Sequence, residues 1–395
     1  MARRLVAGAA IEYNAAVSAT DRAMVSRLLA LALLSLVSLC LTAAAVEVGF
    51  RVFQRLRYDV PVGPSPAALG RDAETGAARH LSSIVLDEVL GWRSTPLYEF
   101  HGPRQNRDGS TYQADVTLDQ QGFREFGRLD SSRPRIMAIG DSFTQAVEVS
   151  DDRPYYRLLG QALDAEVFAY GAGGYGTLQE YLILDRYVDR IHPDLLLWQY
   201  CSNDFMNNDW ELERRSWFAN NGLRRPYWED GAIAYRMPKP DPLAVRTFAE
   251  EHSRFGYWLL SRLDALQRSL AGKEPRSIEH EIEAEGFQHP GFARSVATTD
   301  QLMGLVRQRA AGIPIVAFNC DDARPYREAF EQISARHDIA FLTEVSTAIR
   351  DAEAEGSVVT VMDGHWNERG HQLVAERLEE YLRSTGWGAA STSKR

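Results

Sequence analysis

Ser142, in Gly140-Asp141-Ser142, and His365, in Asp363-Gly364-His365, are the side chains of this sequence best suited to covalent chemistry. A serine hydroxyl becomes a nucleophile when a base takes its proton, and an imidazole held in the right tautomer by a carboxylate is such a base. Asp363 lies two residues before His365 on a loop, close enough to be that carboxylate. Ser142 follows an apolar run at 136–139, short enough for a buried strand, and Phe143 onward can start a helix. A serine on a sharp turn at a strand's carboxyl end sits where open α/β sheets bind ligands. Alone, Gly-Asp-Ser is equally ordinary turn chemistry, and Asp141 reads as a turn residue.

Two stretches between Ser142 and His365 carry hydrogen-bond donors. Residues 169–176 read Ala-Tyr-Gly-Ala-Gly-Gly-Tyr-Gly, with four glycines in six positions. Glycines let a backbone N–H approach a substrate oxygen with no side chain in the way. The loop lacks the Gly-Lys-Ser ending and the spacing of nucleotide-binding loops. In Cys201-Ser202-Asn203-Asp204, the Asn203 amide can donate to an oxyanion, and an asparagine there is equally a turn former. Asn367 can cap the helix that follows His365, where His371 is expected to pack. A metal reading of Asp363, His365 and His371 has no further ligand cluster behind it, so neither metal nor cofactor is expected.

These loops need a scaffold that gathers strand ends on one edge. Apolar runs at 136–139, 166–170, 195–200, 315–319 and 339–342 alternate with helical segments such as 178–190 and 323–336. Near-continuous apolar strands alternating with helices mean a parallel sheet covered on both faces. Residues 358–362 suggest a further short strand, and 368–384 an amphipathic closing helix.

More than a hundred residues separate the third and fourth strands, too many for a plain connection. This excess holds Trp210, Trp217, Phe218, Tyr227 and Trp228 and a hairpin signal over 227–235 with Asp230-Gly231 as its turn. A helix follows with Phe248, His252, Phe255, Leu259, Leu263 and Leu266 on one face, and 273–285 reads as a charged, mobile segment. Such an insertion should cap the strands' carboxyl edge.

The 395 residues, 45% hydrophobic, suffice for one large domain or one domain with an appendage. A net charge of −10 argues against a nucleic-acid partner. Three cysteines, at 40, 201 and 320, exclude a disulfide scaffold and a cysteine-rich metal site. Residues 28–46 carry no charge, near the roughly 20 residues that cross a hydrocarbon core. A single-pass membrane helix is expected; a signal peptide cleaved after Ala43-Ala44-Ala45 and secretion is the alternative. Arg51, Arg55 and Arg57 weaken the charge asymmetry, but a short tail ahead of a large domain favours export of the domain. The expected organisation is a tail (1–27), a transmembrane helix or signal anchor (28–46), a linker (47–83), a small β-rich decoration (84–132), a main domain (133–384) with an insertion at 205–297, and a second tail (385–395).

As an ordered set, Gly140-Asp141-Ser142-Phe143, Gly171 to Gly176, Ser202-Asn203-Asp204 and Asp363-Gly364-His365 resemble the four blocks of the SGNH hydrolases, or GDSL-type esterases, and within them the membrane-anchored bacterial members. The resemblance spans roughly 133–384. It implies a flavodoxin-like three-layer α/β/α domain, with an extracytoplasmic (periplasmic) location for it. In that family pattern Ser142 is the nucleophile, His365 the base and Asp363 its acid. The oxyanion hole is made by the N–H groups of Ser142 and Gly174 and the Asn203 amide. The substrate so implied is an acyl ester, of a small molecule or of an envelope glycan or lipid. O-acyl transfer to a cell-surface glycan, with Trp210 or Trp217 stacking on sugar, and a non-catalytic glycan- or partner-binding role are the alternatives. Phe143 replaces the usual leucine, Cys201 replaces a glycine, and the acid stands two rather than three residues before the histidine. Cys201 and Cys320 end the third and fourth strands, which this fold sets side by side. A disulfide in an oxidising compartment and two unpaired, partly buried thiols are both open.

Overall fold

The computed structural model describes residues 2–58, 84–216, 219, 221–238, 253–271 and 277–387. The described residues form twelve strands: β1 (Ile84–Asp87), β2 (Gly91–Ser94), β3 (Glu99–Gln105), β4 (Thr111–Thr117), β5 (Arg124–Glu125), β6 (Arg135–Gly140), β7 (Glu166–Gly171), β8 (Leu195–Tyr200), β9 (Arg225–Glu229), β10 (Ala232–Arg236), β11 (Ile315–Asn319) and β12 (Ala340–Leu342).

Six of them form one sheet in the order β12-β11-β8-β6-β7-β5. All neighbours run parallel except β5, which pairs antiparallel with β7 through Arg124↔Ala169 and Glu125↔Phe168. Counting only the parallel strands in chain order, this is the 2-1-3-4-5 order of flavodoxin-like folds, with its switch point beside β6. Successive side chains of a strand point to opposite faces, and here both faces are buried. Met137, Ile139, Leu196 and Trp198 pack beneath helices Thr177–Ile191, Pro290–Arg309 and Tyr326–Arg336. Ile136, Ala138, Leu195 and Leu197 pack beneath Tyr155–Ala162, Thr343–Ala354 and Glu368–Ser384. The result is the expected three-layer α/β/α arrangement around a predominantly parallel sheet.

Several expectations shift. The helix expected at 323–336 starts at Tyr326 rather than Ala323, because Arg324 precedes Pro325 and a residue before proline avoids the helical region. Residues 358–362 make only isolated bridges, Asn106↔Val361 and Thr360↔Trp366. They fold the chain back on itself rather than adding a strand, and the returning loop carries Asp363 and His365. Strand β5 lies within the stretch read as a separate decoration, yet it edges the main sheet. The hairpin is present as β9/β10, with Asp230 (φ 50°) and Gly231 (φ 81°) both left-handed at its turn, as a type I′ turn needs.

One helix among the described residues is long and apolar enough to cross a membrane, at Ser26–Phe53 within the helix Ala2–Tyr58. It therefore runs beyond 28–46 in both directions, so residues 47–58 are helical where a linker was expected; 59–83 lie outside the described residues. The insertion helix is present as Arg254–Ala271. Phe248, His252, Trp217, Phe218 and most of the tail 385–395 lie outside the described residues.

Candidate active site

Strand β6 delivers Ser142 to the carboxyl edge of the sheet. The Asp141 carboxylate accepts the Phe143 N–H at 3.0 Å and so caps the four-residue helix Ser142–Gln145. Asp141 is fully buried, and burial pushes its carboxyl up against the pull of His365. From the opposite end of the chain, the loop closed by the Thr360↔Trp366 bridge brings His365 over Ser142. Nε2 of His365 lies 2.8 Å from Ser142 Oγ, and Nδ1 lies 2.8 Å from Asp363 Oδ1. Asp363 also accepts the His365 backbone N–H at 3.2 Å, which a carboxylate two residues upstream reaches readily. The Phe143 ring packs on His365 at 4.8 Å and on the buried Trp366 at 4.7 Å. It walls the imidazole on one side.

The electrostatics around His365 favour its charged form. Burial disfavours the imidazolium, but the Asp363 hydrogen bond and the charges of Glu148, Asp363 and Asp141 outweigh it and raise the pKa to about 9. The hydrogen bond to His365 holds Asp363 below the usual carboxylate range. No signal in the sequence points to Glu148. Its carboxylate, that of Asp363 and a His365 ring nitrogen lie within 4.8 Å of one another, but it sits on a turn with no motif of its own. Imidazolium cannot accept the Ser142 proton, so any activity that uses it as a base should rise with pH through a midpoint near 9 and level off only above it. Glu148→Gln removes a charge that stabilises imidazolium. The inflection of kcat/KM should move about one unit towards acid, measured as a pH–rate profile; an unmoved inflection removes Glu148 from the site.

The glycine loop is shaped from outside it. Gly174 adopts φ +72°, which strains any residue with a side chain, and a Cβ there would also come within 1.9 Å of Asn221 Nδ2 and displace that side chain. Trp92, fully buried at the end of the β1/β2 hairpin, donates its indole N–H to Gly173 O at 3.0 Å. In a trans peptide the N–H points opposite the carbonyl, so this bond aims the Gly174 N–H away from Trp92. Arg225, in β9, donates to Gly174 O at 2.8 Å. Among the described residues no group accepts from the N–H of Ser142 or Gly174. Neither Trp92 nor Arg225 had any signal linking it to this loop in the sequence, being separated from it by 81 and 51 residues.

Asn203, at the start of the short helix Asn203–Asn207 after β8, gives its amide to Asn207 Oδ1 at 3.0 Å and Tyr175 O at 3.5 Å. The second bond is at the limit of hydrogen bonding, which leaves that proton available to a stronger acceptor such as an oxyanion. Cys201 and Cys320 are joined by a disulfide, Cα–Cα 5.1 Å, tying the ends of β8 and β11 beside the site. It closes a loop of 119 residues, and cross-linking so long a loop restricts the unfolded chain most. Cys320→Ser is expected to lower stability by about 2–4 kcal/mol in denaturant titration under oxidising conditions. No loss there would mean that the bridge does not form.

Ser142, Gly174, Asn203 and His365 face one cavity of about 640 Å³. The structure thus brings together all five residues singled out in the sequence, Ser142, Gly174, Asn203, Asp363 and His365, with Glu148 beside them. Part of the cavity wall comes from a helix, Ile278–Glu285, where a mobile segment was expected. Ser277 caps it and Ile278 and Ile282 anchor it in the core. Charge alone masked those two anchors. Trp210 is not in the cavity: its indole N–H is held by Met237 O and Arg214 and Arg236 lie over its ring. His371 is buried against Tyr155, whose backbone N–H it accepts at 3.3 Å, so it does not join Asp363 and His365 as a metal ligand.

No protein-family model matches the chain, and no curated protein matches it. Among solved structures it is similar to a member of the lipolytic protein G-D-S-L family from Veillonella parvula, at 14% identity and TM-score 0.36, over 63% of this chain and 98% of that one. It is similar also to a catalytic mutant of an acetylxylan esterase from Geobacillus stearothermophilus (12%, TM-score 0.35, 66% and 97%). A third is a psychrotrophic esterase from Pseudoalteromonas (9%, TM-score 0.35, 64% and 97%).

Proposed function

We propose that this chain is an SGNH-type serine ester hydrolase. The observation that carries the reading is the array Asp363–His365–Ser142, linked by two contacts of 2.8 Å and facing donors left unspent at Ser142 and Gly174. In this reaction Ser142 Oγ attacks the ester carbonyl as His365 takes its proton. The tetrahedral oxyanion is held by the N–H groups of Ser142 and Gly174 and by the Asn203 amide, which leaves Tyr175 O for it. The imidazolium then gives its proton to the departing alkoxide. Water repeats the sequence on the acyl-serine, with His365 again as base.

An O-acylated envelope glycan or lipid is the substrate class that fits an anchored enzyme. The apolar helix at Ser26–Phe53 supports a single-pass anchor, and the Cys201–Cys320 disulfide supports an oxidising, extracytoplasmic compartment. Glu279, Glu283, Asp321 and Asp363 border the cavity and outnumber the imidazolium of His365, and this excess of negative charge repels an acyl group of the same sign. Acetyl and other neutral esters should therefore be turned over faster than a hemisuccinate. The reading is tested by a fluorophosphonate probe, which should label the purified protein at Ser142 in a peptide map. A protein that neither reacts with the probe nor hydrolyses an activated acetyl ester is a binding protein on this fold.

A further inference from the structure

The helix Arg254–Ala271 starts on the span helix. Glu47 accepts the Ser253 hydroxyl at 2.8 Å and the backbone N–H groups of Arg254 and Phe255 at 3.0 Å each. One carboxylate on the span helix thus caps the amino terminus of an insertion helix about 206 residues away, where the helix dipole is positive. Phe50 packs on Phe255 and on Trp258, each at 5.6 Å between ring centroids. The charge-free stretch 28–46 is about 28 Å of helix at 1.5 Å per residue, close to the roughly 30 Å of a hydrocarbon core. Glu47 and Arg51 then stand at the boundary with water, and the insertion helix begins at that depth.

From this anchor, Trp258, Leu259, Leu263 and Leu266 follow one another on one face at helical spacing. All four are exposed, Leu263 at 46% and Leu266 at 56%. Val52, Phe53 and Leu56 of the span helix are exposed as well, a few residues beyond the Phe50 contact that joins the two helices. A tryptophan at the level of the headgroups is characteristic of membrane-facing helices. Arg262 lies 6.0 Å from the centre of the Trp258 ring, a pairing that lets the guanidinium reach up to phosphates while its stem stays apolar. Of the three arginines in the helix Arg254 is buried, and the other two outnumber its single aspartate, a balance that favours anionic lipid.

We infer that the helix Arg254–Ala271 lies in the membrane interface with Leu259, Leu263 and Leu266 in lipid, docking the insertion onto the bilayer beside the span helix. The inference rests on the reading that Ser26–Phe53 crosses the membrane. The lipid surface is the occupant because the apolar face continues from the span helix at interfacial depth and carries basic charge.

The test uses full-length protein in nanodiscs of phosphatidylcholine and phosphatidylglycerol with a nitroxide label. Cys40 is a free, exposed thiol on the span helix, and the other two cysteines are bridged, so labelling the native chain reports on the span alone. A second label is placed at Leu263→Cys, and separately at Leu266→Cys, in a Cys40→Ala background, with Glu355→Cys as a water-exposed control. Collision with oxygen should exceed collision with a water-soluble nickel complex at Cys40, 263 and 266, and the order should reverse at 355. A lipid-like Cys40 with nickel-accessible labels at 263 and 266 overturns the docking and leaves the span reading standing. Labels at 263 and 266 shielded from both reagents, or broadened by a neighbouring label, overturn it in favour of a protein contact or a second copy. A nickel-accessible Cys40 overturns the span reading, and the docking with it.

Discussion

Ser142→Ala is expected to lower turnover of an activated acetyl ester by about 10⁶-fold, the loss typical of removing the nucleophile from a serine–histidine pair. The substitution deletes one hydroxyl from a cavity wall and leaves the Asp141 cap on Phe143 untouched. The melting temperature should stay within a degree or two of the parent, so lost activity cannot be blamed on unfolding. The His365 inflection supplies an independent reading. Asp363 and Glu148 remain beside the imidazole in the variant, and its pKa should stay near 9 by NMR titration. Retention of esterase activity by Ser142→Ala would remove the serine mechanism. The same value has a consequence for stability. A histidine raised from 6.5 to about 9 in the fold contributes stability that is fully present below pH 6.5 and is lost as pH rises through 9. His365 becomes a competent base in the range where it ceases to stabilise the protein.

Arg225→Met is expected to cost about 3–5 kcal/mol. Arg225 and Glu213 form an ion pair at 2.7 Å with side chains 1% and 0% exposed, and Tyr227 adds a hydrogen bond to the same carboxylate at 2.9 Å. Removing the guanidinium strands a buried carboxylate, which either keeps an uncompensated charge or takes up a proton. For a domain of this size the melting temperature should fall by roughly 10 °C. Activity should fall beyond what unfolding explains, because Gly174 O loses its Arg225 donor and the Gly174 N–H is then less firmly held. The double variant Glu213→Gln with Arg225→Met removes the stranded charge and should recover much of the stability but not the activity. Equal recovery of both would mean that Arg225 acts on stability alone, without positioning the loop.

Much of the scaffold was legible because parallel strands buried on both faces are short apolar runs. The third and fourth strands begin and end at Leu195, Tyr200, Ile315 and Asn319 as read from the sequence. The closing helix Glu368–Ser384, capped by Asn367, does too, since caps and amphipathic periodicity are local properties. Ser142, Gly174, Asn203, Asp363 and His365 were legible for a related reason. Each lies on a loop at the carboxyl end of a strand or in the lead-in to the last helix, where turn chemistry and side-chain type coincide within a few residues.

What the sequence determined by itself is therefore the succession of strands and helices, the parallel sheet they imply and the type of residue on each strand-end loop, because each rests on patterns within a few residues. Tertiary structure alone decided how those loops are held. Trp92 on Gly173, Arg225 on Gly174, Glu148 beside His365, the Cys201–Cys320 bridge and Glu47 capping the insertion helix all join distant parts of the chain. Their side chains are ordinary where they stand, and only the fold's long-range packing supplies the neighbour that gives each one its effect.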